Sequence, residues 1–154
     1  MTTSTDSKQF VPGLADVVAA QTRLSSVNGL EGELIIAGFP LQEIASQATF
    51  EEVVYLLWND ALPTAAELND FRQALAAQRM LPSITVELLK AAIQHRLPTM
   101  DVLLVAASSL SLELAGSDPL SQAIGILARF PVIIATYARL LNGQNMKAIC
   151  APAK

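Results

Sequence analysis

The last third of the chain contains two stretches that are predicted to be helices and that carry apolar residues in nearly every direction. The longer one begins at Pro119 and runs toward Leu141, with apolar side chains at Leu120, Ala123, Ile124, Ile126, Leu127, Phe130, Val132, Ile133, Ile134, Tyr137 and Leu140. The stretch from Met100 to Ala115 also carries apolar residues in nearly every direction. A surface helix shows one apolar stripe, whereas a helix that is apolar all round is buried on all sides. Because so short a chain cannot enclose both stretches, we expect another protein surface to cover them.

Composition excludes several classes of partner. The 154 residues fit one domain, 52% of them are hydrophobic, and the net charge is -4 without a dense basic cluster. Binding to nucleic acid needs a basic stripe, and a membrane-surface helix needs basic residues, so neither partner is expected. The longest uncharged apolar stretches, 102–112 and 130–138, are shorter than the roughly 20 residues of a membrane-spanning helix. The sequence therefore predicts a soluble protein.

The ends of the chain and its single cysteine set the predicted domain bounds and compartment. Residues 1–10 are rich in Ser and Thr and lack an apolar segment, so we predict a disordered tail and no signal peptide. We predict one helical domain over 11–143 and a loosely ordered tail over 144–154. Cys150 alone cannot form an intrachain disulfide or a multi-thiolate metal site, which favours the cytoplasm.

One β-hairpin is predicted near the N-terminus. Asn28-Gly29 lies between the segments 22–27 and 33–36, and both residues accept the positive φ that a tight hairpin turn requires. We expect this hairpin to be the only β structure of the chain.

Capping signals predict where the helices begin. Thr49 with Glu52 and Thr64 with Glu67 have the spacing of a capping box, so helices are expected through Trp58 and to about residue 80. In the second of these helices, three residues share a face: Leu68, Phe71 and Leu75.

Three further helices complete the prediction. One begins at Pro82-Ser83 and ends before Pro98, with a periodic apolar face that comprises Ile84, Leu88, Ala91 and Ala92. The others are 100–115 and the helix that Asp118-Pro119 starts. The predicted fold class is all-α, a helical bundle with a small N-terminal β-hairpin.

Residues capable of chemistry are few, and we predict no catalytic, cofactor-binding or metal-ligating residue. His95, the only histidine, is interpreted as a solvent-facing residue at a helix end, and Cys150 as an incidental thiol. Gly29, Gly32 and Gly38 do not have phosphate-loop spacing and are interpreted as turn residues.

Serines and methionines within the apolar helices receive structural interpretations. Ser108, Ser109 and Ser111 are expected to donate to the carbonyls four residues earlier or to ease close helix contact. The separate methionines are expected to fill gaps: Met80, Met100 and Met146.

Several segments together resemble a known family. FEEVVYLL at 50–57, LPTAAEL at 62–68, PTMDVLL at 98–104 and ARFPVIIATYARLLNG at 128–143 occur in that order. They resemble the N-terminal part of bacterial-type citrate synthases and 2-methylcitrate synthases, from about Pro12 to Gly143. Two departures are visible, because the resemblance implies an arginine where Ala37 stands and another where Leu104 stands.

The resemblance implies an enzyme that condenses acetyl-CoA with oxaloacetate. It implies two catalytic histidines and an aspartate that lie in the family's later portion, so no catalytic residue is carried over to this chain. It implies no resident cofactor, with acetyl-CoA as a substrate of the complete enzyme. It further implies a dimer in which the helices at 100–115 and 119–141 form the interface.

Three hypotheses follow. The first is an N-terminal citrate synthase segment that is inert alone and that forms a homodimer, a higher oligomer or a pair with a companion chain carrying the catalytic part. The second is a non-catalytic helical module that regulates a full-length synthase. The third is an unrelated helical adaptor.

Overall fold

The computed structural model describes residues 20–144. The predicted N-terminal tail, with the first residues of the predicted helical domain, lies outside the described residues. So do residues 145–154, which include Met146 and Cys150. The predicted domain bounds therefore stay predictions.

The N-terminal part of the described chain is a small antiparallel sheet in the order β1-β2-β3. Its strands are β1 (Ser25–Asn28), β2 (Glu33–Ile36) and β3 (Phe39–Pro40). The predicted hairpin is confirmed, with Val27 opposite Leu34, but the loop that closes it spans 29–32 and is longer than an Asn-Gly turn. The prediction of no other β structure is wrong. Ala37 and Gly38, with φ of 46° and 91°, turn the chain so that β3 pairs with β2.

Seven helices follow within residues 41–141 of the described part, and they confirm the predicted helical bundle. They are α1 (Leu41–Gln47), α2 (Phe50–Asn59), α3 (Ala65–Ala77), α4 (Ser83–Gln94), α5 (Thr99–Ser109), α6 (Ser111–Leu114) and α7 (Pro119–Leu141). Among them, α1 has no counterpart in the predictions.

Both predicted capping boxes are present. The Thr49 N–H donates to Glu52 Oε2 at 2.7 Å, and the Thr64 N–H donates to Glu67 Oε2 at 2.8 Å. Each threonine hydroxyl also accepts from the backbone N–H of its glutamate. The hydrogen bond from the threonine side chain is the main cause that lowers the pKa of each glutamate below its ordinary value, because it favours the ionised carboxylate.

The predicted helix 100–115 is wrong as a single element, because it is divided at Leu110 into α5 and α6. The Leu110 N–H donates to the carbonyl of Ala107, a bond that spans three residues instead of four. On either side of this point, Ser109 Oγ donates to Ala106 O at 2.7 Å and Ser111 Oγ donates to Ser108 O at 2.8 Å. The predicted bond to the carbonyl four residues earlier is confirmed for Ser108, which donates to Leu104 O at 2.8 Å, and is wrong for Ser109 and Ser111, which donate to carbonyls three residues earlier. These side-chain bonds compete with the regular helical ladder.

Two apolar clusters form the core of residues 20–144, and α7 belongs to both. The larger cluster joins α4, α5, α6 and α7 around Leu89, Val102, Ile133 and Tyr137. The smaller joins α2, α3 and α7 around Phe71, whose ring makes edge-to-face contacts with Tyr55 at 5.9 Å and Trp58 at 5.7 Å between centroids. The predicted face of α3 is confirmed, with Phe71 and Leu75 buried.

The predicted face of α4 is confirmed at Ala92 and is wrong by one position at Ile84, Leu88 and Ala91. The structure buries Thr85, Leu89 and Ala92, whereas Ile84 is exposed. Thr85 tolerates this position because its hydroxyl makes a 2.7 Å hydrogen bond with the Ser109 hydroxyl of α5, and a buried polar group without a partner would be costly. The gap-filling interpretation of the methionines is also wrong for Met80 and Met100, which are exposed.

Helix α7 packs within the bundle and contacts α3, α4 and α5. Within the described residues it alone is long and apolar enough to span a bilayer by length and composition, and 39% of its most apolar window is buried. The uncharged apolar stretches of the sequence are shorter than α7, because this helix also contains Arg129 and Arg139. One such helix is weak evidence for a membrane, since the core helix of a bundle has the same composition.

Candidate functional site

Clusters that could hold a metal are absent from the described part of the chain, where no three His, Cys, Asp or Glu side chains converge. His95 lies at the C-terminal cap of α4 and is exposed, as its position in the sequence predicted. The prediction of no catalytic residue in the whole chain remains a prediction.

The charged residue that the sequence interpretation missed is Arg129, which is only 3% exposed. Its Nε donates to the backbone carbonyl of Met80 at 3.0 Å. Its Nη2 forms an ion pair of 3.1 Å with Glu113 Oε1, and the Glu113 side chain is half exposed. Arg129 therefore joins α7 to α6 and to the segment between α3 and α4.

The remaining nitrogen of the guanidinium, Nη1, is buried and has no hydrogen-bond partner among the described residues. Gly125 lies one turn earlier on α7, and a Cβ there would be 3.1 Å from Nη1 and 2.9 Å from Leu114 Cδ2. The glycine thus leaves the space that the guanidinium occupies. The available sequence signal was a single arginine in an otherwise apolar part of α7.

A cleft of about 710 Å³ borders this arginine. The residues that line it are Ala77, Gln78, Met80, Leu81, Pro82, Ser83, Ile84, Leu112, Glu113 and Arg129. The cleft thus contains the N-terminal turn of α4, which no side chain caps. We call this the Arg129 cleft.

A second surface consists of exposed apolar side chains on α5 and α7. On α5, Leu104 is 69% exposed and Val105 is also exposed. On α7, Ile126, Phe130 and Leu141 are among the exposed apolar side chains. We call these five residues the outer face.

A groove of about 300 Å³ connects the two helices of the outer face. It is lined by Ala107, Ser108, Ser111, Leu114, Ala115, Gln122 and Ile126. Small side chains on the α5 and α6 side leave room for protruding side chains of another surface. The outer face and this groove are therefore suited to protein contact, in agreement with the excess of apolar helix noted in the sequence.

The sequence of this helical unit matches a known protein family. Residues 13–153 match the family model described as citrate synthase, C-terminal domain, which is most of the chain. The chain belongs to the citrate synthase family. The third hypothesis, an unrelated adaptor, is therefore wrong.

Individual members of the citrate synthase family support the assignment. The chain is 32% identical over 142 residues to citrate synthase from Haloferax volcanii, which covers 86% of this chain and 38% of the relative. It is 35% identical over 135 residues to 2-methylcitrate synthase from Mycobacterium tuberculosis, covering 85% and 34%. The crystal structure of citrate synthase from Thermotoga maritima matches with a TM-score of 0.74 and 31% identity over 89% of this chain and 36% of that chain.

The chain thus spans a little over one third of the length of these citrate synthases. The predicted correspondence to the N-terminal part of the family stays a prediction, because the matching family model is described by the C-terminal domain. The two positions where the resemblance implied arginine are now placed. Ala37 lies in the turn between β2 and β3, and Leu104 lies on the outer face.

Proposed function

We propose that this chain is a structural segment of a citrate synthase-type enzyme that is inert alone and pairs with a second copy through the outer face. The complete assembly would condense acetyl-CoA with oxaloacetate to citrate and CoA. The observation that carries the proposal is the exposed apolar surface of α5 and α7 in a chain that spans about a third of its relatives.

The free energy gained when a partner covers this surface supports pairing. Leu104, Val105, Ile126, Phe130 and Leu141 leave apolar area in contact with water, and each 100 Å² that a partner covers contributes roughly 2.5 kcal/mol before the entropy of association is subtracted. Two copies that share the same patch would cover it reciprocally in a two-fold dimer.

The small number of catalytic groups in the chain supports the proposal that it is inert alone. The family resemblance implies two catalytic histidines, whereas this sequence contains one, His95, which lies exposed at the end of α4. A proton-transfer group must lie within hydrogen-bond reach of the substrate, and His95 does not line the Arg129 cleft. We therefore expect the chain to need a catalytic portion from another polypeptide.

The inert state is tested by measuring release of free CoA from acetyl-CoA and oxaloacetate by the purified chain, with Thermotoga maritima citrate synthase as the positive control. We expect no release above the rate without protein. Turnover at an ordinary enzymatic rate would refute this part of the proposal.

Pairing is tested by light scattering at dilute concentration. We expect the mass of a dimer for the wild-type chain and of a monomer for Leu104→Asp. Leu30→Asp is the matched control, because Leu30 is fully exposed in the β1–β2 loop outside the outer face, and it should remain dimeric. A monomeric wild type, or a dimer that Leu104→Asp leaves intact, would contradict pairing through the outer face.

A second candidate function is a module that regulates a full-length synthase. The replacement of implied arginines by Ala37 and Leu104 favours it, since Leu104 gives α5 an apolar contact residue. Co-expression of tagged chain with full-length Thermotoga maritima citrate synthase distinguishes the two. Copurification supports the regulatory module, and its absence supports the segment.

A further inference from the structure

We propose that Asn28 is a site of spontaneous covalent modification, at which the side-chain amide is lost and an aspartate or an isoaspartate is formed. The sequence contains two Asn-Gly pairs, at 28–29 and 142–143, and the structure places them in opposite environments. This inference goes beyond the proposed function and does not depend on it, because it concerns the β1–β2 loop and not the outer face.

The modification needs only two neighbouring residues and water. The Gly29 nitrogen forms a bond to Asn28 Cγ, the Cγ–Nδ2 bond breaks, and the side-chain amide leaves as ammonia together with the proton of the Gly29 N–H. The product is a cyclic imide. Water then opens this ring, and attack at Cγ gives an aspartate, whereas attack at the main-chain carbonyl carbon gives an isoaspartate. Glycine hinders the first step least, because it has no Cβ.

The reacting groups at 28–29 are free to meet. Asn28 is the last residue of β1, and both Asn28 and Gly29 are exposed. The Gly29 N–H donates no hydrogen bond to another described residue, and a Cβ at Gly29 would meet no atom within 4 Å. Asn28 Oδ1 accepts from the Glu31 N–H at 3.4 Å. This donor favours the reaction, because negative charge develops on Oδ1 when the Gly29 nitrogen adds to Cγ.

The same groups at 142–143 are held at the end of α7. The Gly143 N–H donates to Leu140 O at 3.0 Å, so the nitrogen that would attack belongs to the helix cap. Asn142 Nδ2, which would leave as ammonia, donates to Ala138 O at 2.9 Å. Gly143 has a φ of 65°, the left-handed conformation in which many helices end. Attack at Asn142 therefore requires the C-terminal cap of α7 to open first.

The modification changes the loop end of the hairpin. Asn28 lies opposite Glu33, so a carboxylate in place of its amide puts two negative charges directly across the strands, and such a pair is destabilising. An isoaspartate also adds one backbone atom between positions 28 and 29. We expect the pairing of β1 with β2 to weaken at this end. The helical core should remain intact, because no residue of the sheet belongs to either apolar cluster.

The test is incubation of the purified full chain at mildly alkaline pH, followed by peptide mapping with mass spectrometry that resolves the two Asn-Gly pairs. We expect Asn28 to lose its amide at least about ten times faster than Asn142, a difference of about 1.4 kcal/mol in activation free energy. Methylation by a protein L-isoaspartate methyltransferase measures the isoaspartate that is formed.

Gly29→Ala is the matched variant, because Gly29 does not adopt a positive φ and has space for a Cβ. It should slow the loss of the Asn28 amide about tenfold, since the methyl group hinders attack by the backbone nitrogen. Circular dichroism, expected to match the wild type, shows that the variant is folded. An unchanged rate in Gly29→Ala would overturn the inference.

Incubation in urea separates the effect of the fold from that of the local sequence. Once α7 is unfolded, we expect Asn28 and Asn142 to lose their amides at similar rates. Equal rates in the folded chain would overturn the inference. A difference that persists in urea would also overturn it, because the neighbouring residues and not the cap of α7 would then cause the difference.

Discussion

Replacement of Ile133 by alanine tests whether α7 is the shared core helix of the bundle. Ile133 is 0% exposed and packs in the larger apolar cluster, between residues of α4 and α5. Truncation of a fully buried isoleucine loses the transfer free energy of its methyl and methylene groups and leaves a cavity, a cost of about 2–5 kcal/mol. Because Ile133 is fully buried within this cluster, we expect a loss of about 3 kcal/mol in the free energy of unfolding.

The matched control is Ile126→Ala on the same helix, because Ile126 is 40% exposed and lies on the outer face. We expect a loss below about 1 kcal/mol there, partly offset by the better helix propensity of alanine. In a chain of this length, about 3 kcal/mol corresponds to a fall in Tm of roughly 6–12 °C for Ile133→Ala.

The assay is thermal and urea unfolding, followed by circular dichroism and by fluorescence of Trp58, the single tryptophan. Measurements at two protein concentrations are needed, because association through the outer face would raise the apparent stability by mass action. Equal losses for Ile133→Ala and Ile126→Ala in the dilute protein would refute the packing argument, and so would a loss for Ile133→Ala below about 1 kcal/mol.

The other predictions concern polar contacts. Arg129→Met should lower the free energy of unfolding by about 1–2 kcal/mol. The variant loses the bonds to Met80 and Glu113, and this loss is partly offset because the buried Nη1 without a partner is also removed. Urea unfolding measures the change, and increased stability would contradict the prediction. Thr64→Ala should cost about 1 kcal/mol through loss of the α3 cap, while Thr64→Ser should retain most of the stability; thermal midpoints compare the two variants. The capping glutamates Glu52 and Glu67 have lowered pKa values, so their stabilisation is present above the ordinary value of 4.5 and is lost as pH falls through the lower pKa of the folded protein. Urea midpoints should therefore fall between about pH 6 and about pH 3, and the fall should be smaller in Thr64→Ala.

Local sequence signals predicted where several helices begin, whereas the predicted end of α3 near residue 80 is wrong because the helix ends at Ala77. The capping boxes at Thr49 and Thr64 and the Asp118-Pro119 start each involve groups within three residues of one another, so the interaction can be inferred from spacing alone. The motif segments also predicted the family correctly. The element that these signals missed, α1, begins after Pro40 and has no capping side chain.

The sequence predicted one of the two candidate surfaces and not the other. The excess of apolar helix in the last third of the chain predicted uncovered apolar surface, and the exposed side chains of the outer face, Leu104 and Leu141 among them, agree with it. The Arg129 cleft was not predicted. Its rim residue Met80 was interpreted as a core gap-filler, because a methionine in sequence carries no signal of its exposure.

The sequence by itself determined the helical class, the helix caps and an apolar supply larger than this chain encloses, because these depend on residues within about one helical turn and on composition. Only the tertiary structure decided that Thr85 lies in the core, that α5 ends before Leu110 and that Arg129 is buried. Arg129 bonds to Met80, 49 residues away, and to Glu113, 16 residues away. A charge can be buried where distant groups accept its hydrogen bonds, and no local pattern records which distant groups the fold brings to it.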